Sequence, residues 1–206
     1  MKVIFLDVDG VLNNMDWASS MRQKNVMVFS QDLLYEPALL MLEDLVRETD
    51  AILVLSSAWR KIPSAREALV KQLAEHNMQL HSDTPYVGDI RGKDIDAWFN
   101  HHPEIKIDSY VILDDDSDFT EAQLPYLVQT DFADGLQDRH YRRAKAILNQ
   151  ADLNSAVWLW DGANGSYCSE CDNYIPTVRY YDGDSWSEQE INRTPYCPHC
   201  GRFMKN

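Results

Sequence analysis

The chain has 206 residues, of which 19 are lysine or arginine and 33 aspartate or glutamate, for a formal net charge of −14. This length supports one core of roughly 150 residues plus a small appendage. A composition 45% hydrophobic and 25% charged excludes a disordered chain. The acidity argues against a general nucleic-acid coat, which needs a lysine and arginine surface, but leaves room for a local basic groove. No apolar run approaches the roughly 20 residues of a bilayer span. The start, Met1-Lys2-Val3-Ile4-Phe5-Leu6-Asp7, reaches an acid too soon for a signal peptide. No membrane partner is expected, and a cytoplasmic location is the default.

Residues 3–6 form a continuous apolar run, as expected of a parallel strand buried on both faces. The connection over 13–35 is long and carries Trp17, Met21, Met27 and Phe29, so it is expected to fold over something. Trp17 reads as packing, with base stacking as the alternative. A helix is predicted over 36–48 from Leu39, Leu42, Leu45 and Val46, with Pro37 in its first turn. A buried strand over 52–55 follows. The next helix is predicted over 64–76, with Ser64 as cap and Glu67 at capping-box spacing. A short helix over 93–100 contains Ile95, Trp98 and Phe99; Trp59 and Trp98 read as core. Strands over 110–113 and 126–129 and a closing helix over 138–149 complete the unit. Strands alternating with helices imply an α/β fold with a parallel sheet. A boundary is expected within 150–166, dividing the chain into domains 1–155 and 156–206.

Ligands of a parallel α/β sheet collect at the carboxyl ends of its strands. Three of the predicted strands end in polar groups there: Asp7-Val8-Asp9-Gly10, Ser56-Ser57-Ala58-Trp59-Arg60, and Asp114-Asp115-Asp116-Ser117-Asp118. Apolar strands that stop at acids are hard to explain by packing alone. Converging carboxylates repel each other unless a cation neutralises them, and oxygen ligands of this kind favour Mg²⁺. With a hydroxyl and one or two cations nearby, the set suits phosphoryl transfer. Asp116 and Asp118 read rather as a solvated acidic turn or helix cap.

These segments resemble the haloacid dehalogenase superfamily of phosphatases. The first motif of that superfamily is matched by Val3-Ile4-Phe5-Leu6-Asp7-Val8-Asp9-Gly10-Val11-Leu12, the second by Ile52-Leu53-Val54-Leu55-Ser56, and the fourth by Val111-Ile112-Leu113-Asp114-Asp115. The lysine of the third motif is best matched by Lys93, with Arg91 the runner-up. The strings Leu55-Ser56-Ser57-Ala58-Trp59-Arg60, Tyr110-Val111-Ile112-Leu113-Asp114-Asp115-Asp116-Ser117-Asp118 and Leu127-Val128-Gln129-Thr130-Asp131 further resemble the branch found in RNA-repair proteins and related small phage and bacterial phosphatases. The resemblance covers roughly 1–150 and implies a Rossmann-like three-layer fold with a minimal cap.

The resemblance also implies roles. Asp7 would attack phosphorus to form an aspartyl-phosphate. Asp9 would protonate the leaving oxygen and then activate water. Ser56, or the adjacent Ser57, would hydrogen-bond a phosphoryl oxygen, and Lys93 would balance charge. Asp7, Asp114, Asp115 and the main-chain carbonyl of Asp9 would hold Mg²⁺. The turn at Gly10 lets these groups face one site. Arg60 reads either as a phosphate ligand or as a helix-surface ion pair. A connection of 23 residues after the first motif is too short for a full cap domain. An open site of that kind suits bulky phosphoesters: a nucleic-acid end first, with nucleotides, small metabolites and phosphoproteins as alternatives. The basic cluster Arg139, Arg142, Arg143 and Lys145 reads as a solvated helix face.

All four cysteines lie near the end, as Cys168-x-x-Cys171 and Cys197-x-x-Cys200 with 25 residues between the pairs. Two such knuckles suit a tetrahedral, structural Zn²⁺, whereas two disulfides would be unusual in a reducing cytoplasm. The segment looks like a zinc ribbon, with a hairpin over 177–181 and Tyr196 turning at Asp182-Gly183-Asp184, and His199 facing solvent. A second functional hypothesis follows from it: a catalytically silent domain whose ribbon binds a partner protein.

Overall fold

The computed structural model describes residues 1–23, 34–88 and 90–150 with their side chains, and residues 155–160, 165–168, 174–181, 186–190 and 203–205 by their backbone. The chain divides into two compact units, Met1–Ala151 and Asp152–Asn206. The first holds an all-parallel sheet in the order β3-β2-β1-β4-β5, an α/β architecture of the Rossmann type. Its strands are β1 (Lys2–Leu6), β2 (Ala51–Leu55), β3 (Leu80–Asp83), β4 (Ser109–Asp114) and β5 (Leu127–Gln129). Among the described residues five helices connect or flank them: α1 (Met15–Gln23), α2 (Glu36–Thr49), α3 (Pro63–Glu75), α4 (Arg91–His101) and α5 (Asp138–Leu148). Short 3-10 turns follow β2 (Ala58–Lys61) and precede β5 (Leu124–Tyr126).

β1 is apolar throughout its buried length because it lies centrally, between β2 and β4. Val3 and Phe5 share one face with Val54, Ile112 and the α4 residues Ile95 and Trp98 in a fully buried cluster. Ile4 and Leu6 face the opposite layer, by the two-residue period of a strand. The Phe5 and Trp98 rings meet edge to face at 5.3 Å, and the buried indole N–H of Trp98 donates to Ser82 Oγ at 2.8 Å. On α2 the apolar stripe Ala38, Leu39, Leu42 and Leu45 is buried.

Three local features differ from the sequence expectation. Ser64 does not cap α3. Pro63 takes the first turn, where its missing N–H costs nothing, and Ile62 precedes it without a side-chain cap. β3 has a half-exposed, polar sequence, as befits a short edge strand, and so carries no apolar run to read. α1 has no buried residue, so it shows no apolar stripe; its Trp17 ring lies 6.4 Å from that of Tyr35. Residues 24–33, with Met27 and Phe29, are outside the described residues.

The second unit contains β6 (Ser155–Trp160), β7 (Gly165–Cys168), β8 (Tyr174–Tyr181), β9 (Trp186–Glu190) and β10 (Phe203–Lys205), in the order β10-β6-β7-β8-β9. β8 pairs antiparallel with β9, residues 177–181 lying opposite 186–190, and Tyr196 is outside the described residues. Cys168 ends β7 opposite Trp158. Cys171, Cys197 and Cys200, and with them the expected zinc site, lie outside the described residues. Among the described residues no helix is long and apolar enough to cross a membrane.

α5 opens with a reciprocal cap: the Gln137 N–H donates to His140 Nδ1 at 3.0 Å. Burial, then neighbouring Arg139, push the His140 imidazole down to about 4. The folded state therefore binds this proton less well than the unfolded one. The contribution of His140 is complete above about pH 6.5 and is lost as pH falls towards 4. In denaturant unfolding, the wild type should lose about 2 kcal/mol more between pH 7 and pH 4.5 than His140→Gln does; parallel losses would contradict the buried neutral imidazole.

Candidate active site

The register of the central strands builds the site. Leu6 pairs with Leu55 on one side and with Leu113 on the other. The ladder continues one residue further, with Ser56 N–H donating to Leu6 O and Asp7 N–H to Leu113 O, both at 2.9 Å. Asp7, Ser56 and Asp114 therefore leave the sheet at the same level, at the point where the strand order reverses.

Carboxylate oxygens of Asp7, Asp114 and Asp115 come within 4.8 Å of one another. Asp7 is 2% exposed and Asp114 is fully buried. Arg91, the first residue of α4, enters this cluster. Its Nη1 lies 2.6 Å from Asp114 Oδ2 and 3.3 Å from Asp7 Oδ1, and its Nε is 3.9 Å from Asp118 Oδ1. Burial pulls the Arg91 guanidinium down, but Asp7 and Asp114 outweigh this and leave it raised. Desolvation pushes Asp7 up despite Arg91. Desolvation and then the Asp7 charge push Asp114 up to about 7, although Arg91 opposes them. One guanidinium thus does not balance the carboxylates.

Among the described residues it is Arg91, not the sequence's first choice Lys93, that lies against these carboxylates. α4 begins at Arg91, and two further residues turn a helical side chain by about 200°. Lys93 is consequently exposed on the far side of the helix. Gly92 lets the start of α4 lie against the loop after β4: a Cβ there would sit 2.4 Å from Gln123 Oε1 and 2.9 Å from Thr120 N. The Arg91 N–H donates to Asp118 Oδ2 at 3.1 Å, so Asp118 caps α4.

Asp9 is held by two donors. Trp59 Nε1 donates to Oδ2 at 2.8 Å and Asn13 Nδ2 to Oδ1 at 3.1 Å. Trp59 is buried as expected, but its indole N–H also reaches the site, which sequence reasoning missed; a tryptophan three residues past a strand-end serine was the available signal. Gly10 has φ +79°, and a Cβ at this position would lie 2.5 Å from Asp115 Cγ. Glycine is thus required twice here, by the backbone and by the carboxylate resting on it. The Gly10 carbonyl accepts from Thr130 Oγ at 2.7 Å.

The two serines are separated by their partners. Ser57 Oγ accepts from the Trp59 N–H at 3.3 Å, and its hydroxyl lies within hydrogen-bonding reach of Asp7. Ser56 Oγ is buried and has no hydrogen-bond partner among the described residues. Arg60 is an internal brace: its Nη1 donates to the carbonyls of Ser56 and Ser57, and its Nη2 pairs with Asp94 at 2.5 Å. That pair is almost fully buried, an internal ion pair rather than the helix-surface one expected. In the basic cluster of α5, Arg139 pairs with Asp134, Arg142 with Asp138 and Lys145 with Glu48, as a solvated helix face would.

A parallel sheet whose central strand delivers an aspartate beside the carboxylates of Asp114 and Asp115 is what a domain of the haloacid dehalogenase (HAD) class would show. The profile described as "HAD domain in Swiss Army Knife RNA repair proteins" matches residues 3–141, and the chain belongs to that family. Searches of curated proteins and of solved structures found no match.

Proposed function

We propose that the first unit is a Mg²⁺-dependent phosphatase that hydrolyses phosphomonoesters through an aspartyl-phosphate on Asp7. The observation that carries this reading is the buried Asp7 carboxylate, 3.3 Å from Arg91 and clustered with Asp114 and Asp115. The donor set fits Mg²⁺: all ligands are hard oxygens, and Arg91 leaves the cluster with an excess of negative charge. Both oxygens of Asp114 already have N–H partners, Arg91 and the main chain of Asp116. Asp115, lying against Gly10, has the freer carboxylate. A Mg²⁺ held by Asp7, Asp115, Asp114 and the main-chain carbonyl of Asp9 would supply positive charge beside the phosphoryl oxygens.

The chain's own groups then divide the work. Asp7 attacks phosphorus, and the leaving oxygen departs with its electron pair and takes a proton from Asp9. Water then attacks the aspartyl-phosphate, giving its proton back to Asp9 and releasing phosphate and free Asp7. The unpartnered Ser56 hydroxyl donates to a phosphoryl oxygen, and Arg91 stabilises the charge that spreads over the group in the transition state. Trp59 and Asn13 fix the direction in which Asp9 faces the leaving oxygen. The family's tie to RNA repair supports terminal phosphates of nucleic acids, or nucleotides, as substrates. In the second unit, Cys168, Cys171, Cys197 and Cys200 would hold one structural Zn²⁺ in a ribbon, in keeping with a reducing cytoplasm.

Three outcomes test this reading. Purified protein should hydrolyse an aryl phosphate with Mg²⁺, and Asp7→Asn should reduce the rate to background; survival of wild-type activity would exclude Asp7 as nucleophile. Trp59→Phe should slow substrates with poor alkoxide leaving groups at least tenfold more than those with nitrophenolate, which departs without protonation. An equal loss on both would show that Trp59 merely supports the fold. Metal analysis of protein purified without chelator should find one zinc per chain, and zinc-free protein would remove the ribbon.

A further inference from the structure

From Ser56 and Arg91 the phosphoryl site opens into a pocket of about 240 Å³, whose other lining residues the chemistry above does not use. Ser56, 2% exposed, and Arg91 line its inner part, and the buried Arg60–Asp94 pair forms a wall. Lys61 and Tyr86 line its exposed mouth. Tyr86 is 59% exposed, and Lys61 Nζ stands 3.2 Å from the centroid of its ring.

Two independent features mark this pocket as a ligand site. The Ser56 hydroxyl is buried, lines the pocket and has no hydrogen-bond partner among the described residues; such a group is costly to leave unmet. At the mouth, a chain with net charge −14 places a lysine on an aromatic face instead of on a carboxylate. Of the two acids of the pocket, Asp94 is paired with Arg60 at 2.5 Å, and Asp118 accepts the Arg91 N–H through Oδ2 at 3.1 Å, with its Oδ1 3.9 Å from the Arg91 guanidinium. The volume is below the roughly 300–1,000 Å³ of sites that enclose a drug-sized ligand. It suits one unit of a longer substrate whose remainder stays in solvent.

A ligand matching these features carries a phosphoryl group for Ser56 and Arg91, a flat π-face for Tyr86 and a further anion for Lys61. A polynucleotide end offers the three together: a terminal phosphate, the adjoining base and the next phosphodiester. Stacking on an exposed aromatic ring is also tolerant of base identity. Resting on the phosphatase reading, we infer that this pocket is the subsite for the terminal nucleotide of a single-stranded nucleic acid, with the base taking the place of the Lys61 ammonium on the Tyr86 ring and Lys61 turning to the next phosphodiester.

The test uses the full chain with Mg²⁺, a phosphorylated oligoribonucleotide at either end, acetyl phosphate and a phosphopeptide. Acetyl phosphate has neither base nor second phosphate. In Tyr86→Ala and Lys61→Ala, kcat/KM for the oligonucleotide relative to acetyl phosphate should fall at least fivefold, through KM. Tyr86→Trp should restore the ratio, and Lys61→Ala should reduce the salt slope of log KM by about one. Equal losses on both substrates, or a loss confined to the phosphopeptide, would overturn the assignment. Binding keeps it separate from catalysis. Fluorescence anisotropy of a labelled oligonucleotide on Asp7→Asn protein should weaken at least fivefold when Tyr86→Ala is added, and no weakening would remove the subsite even if phosphatase activity is present. Absence of turnover on every substrate would instead remove the phosphatase reading and leave the anisotropy result to decide the pocket.

Discussion

The structure is organised around the cost of bringing carboxylates together at the ends of neighbouring parallel strands. Strand register leaves no alternative: once Leu6 pairs with both Leu55 and Leu113, Asp7 must emerge beside Asp114. The chain answers with Arg91, 2.6 Å from Asp114 and 3.3 Å from Asp7. An attraction of this kind is of the order of 5 kcal/mol near a protein surface, yet Asp114 still stands at about 7. A site so arranged holds a standing demand for positive charge, which the proposed Mg²⁺ and the charge-balancing chemistry of phosphoryl transfer both meet.

The loop after β2 shows how structural and reactive duties are shared. Ser56, Ser57, Trp59 and Arg60 are nearly adjacent in sequence but face different ways. Arg60 gathers the carbonyls of Ser56 and Ser57 and locks them to α4 through Asp94. Ser57 leans towards Asp7, and Trp59 reaches Asp9. With these neighbours engaged, Ser56 is left with an unmet hydroxyl. The brace thus holds the Ser56 hydroxyl still.

Much of the fold was legible because its strands are apolar on both faces, and a run such as Val3-Ile4-Phe5-Leu6 has few other uses. β3 and α1 escaped because an edge strand of sequence Leu-His-Ser-Asp and a helix with no buried face carry no periodic signal. At the site, acids abutting apolar runs announced Asp7, Asp114 and Asp115. The partner cation was harder to read, since it depends on where α4 begins. That start is set by Gly92 packing against Thr120 and Gln123, a contact made across nearly thirty residues of chain. The same limit applies to Trp59, whose burial was readable but whose N–H found its acceptor fifty residues away.

The contact between Gly10 and Asp115 has a further consequence, for how sequences of this kind can vary. The absent side chain at position 10 and the carboxylate at position 115 occupy one volume, so neither position is free of the other. A larger residue at 10 would be tolerated only where 115 had shrunk or turned away, and the acid would then no longer face Asp7. The two motifs, over a hundred residues apart in the chain, are a single steric unit. Related chains should therefore keep or abandon the pair together, and a chain with one half alone should have lost the acidic site while keeping the fold.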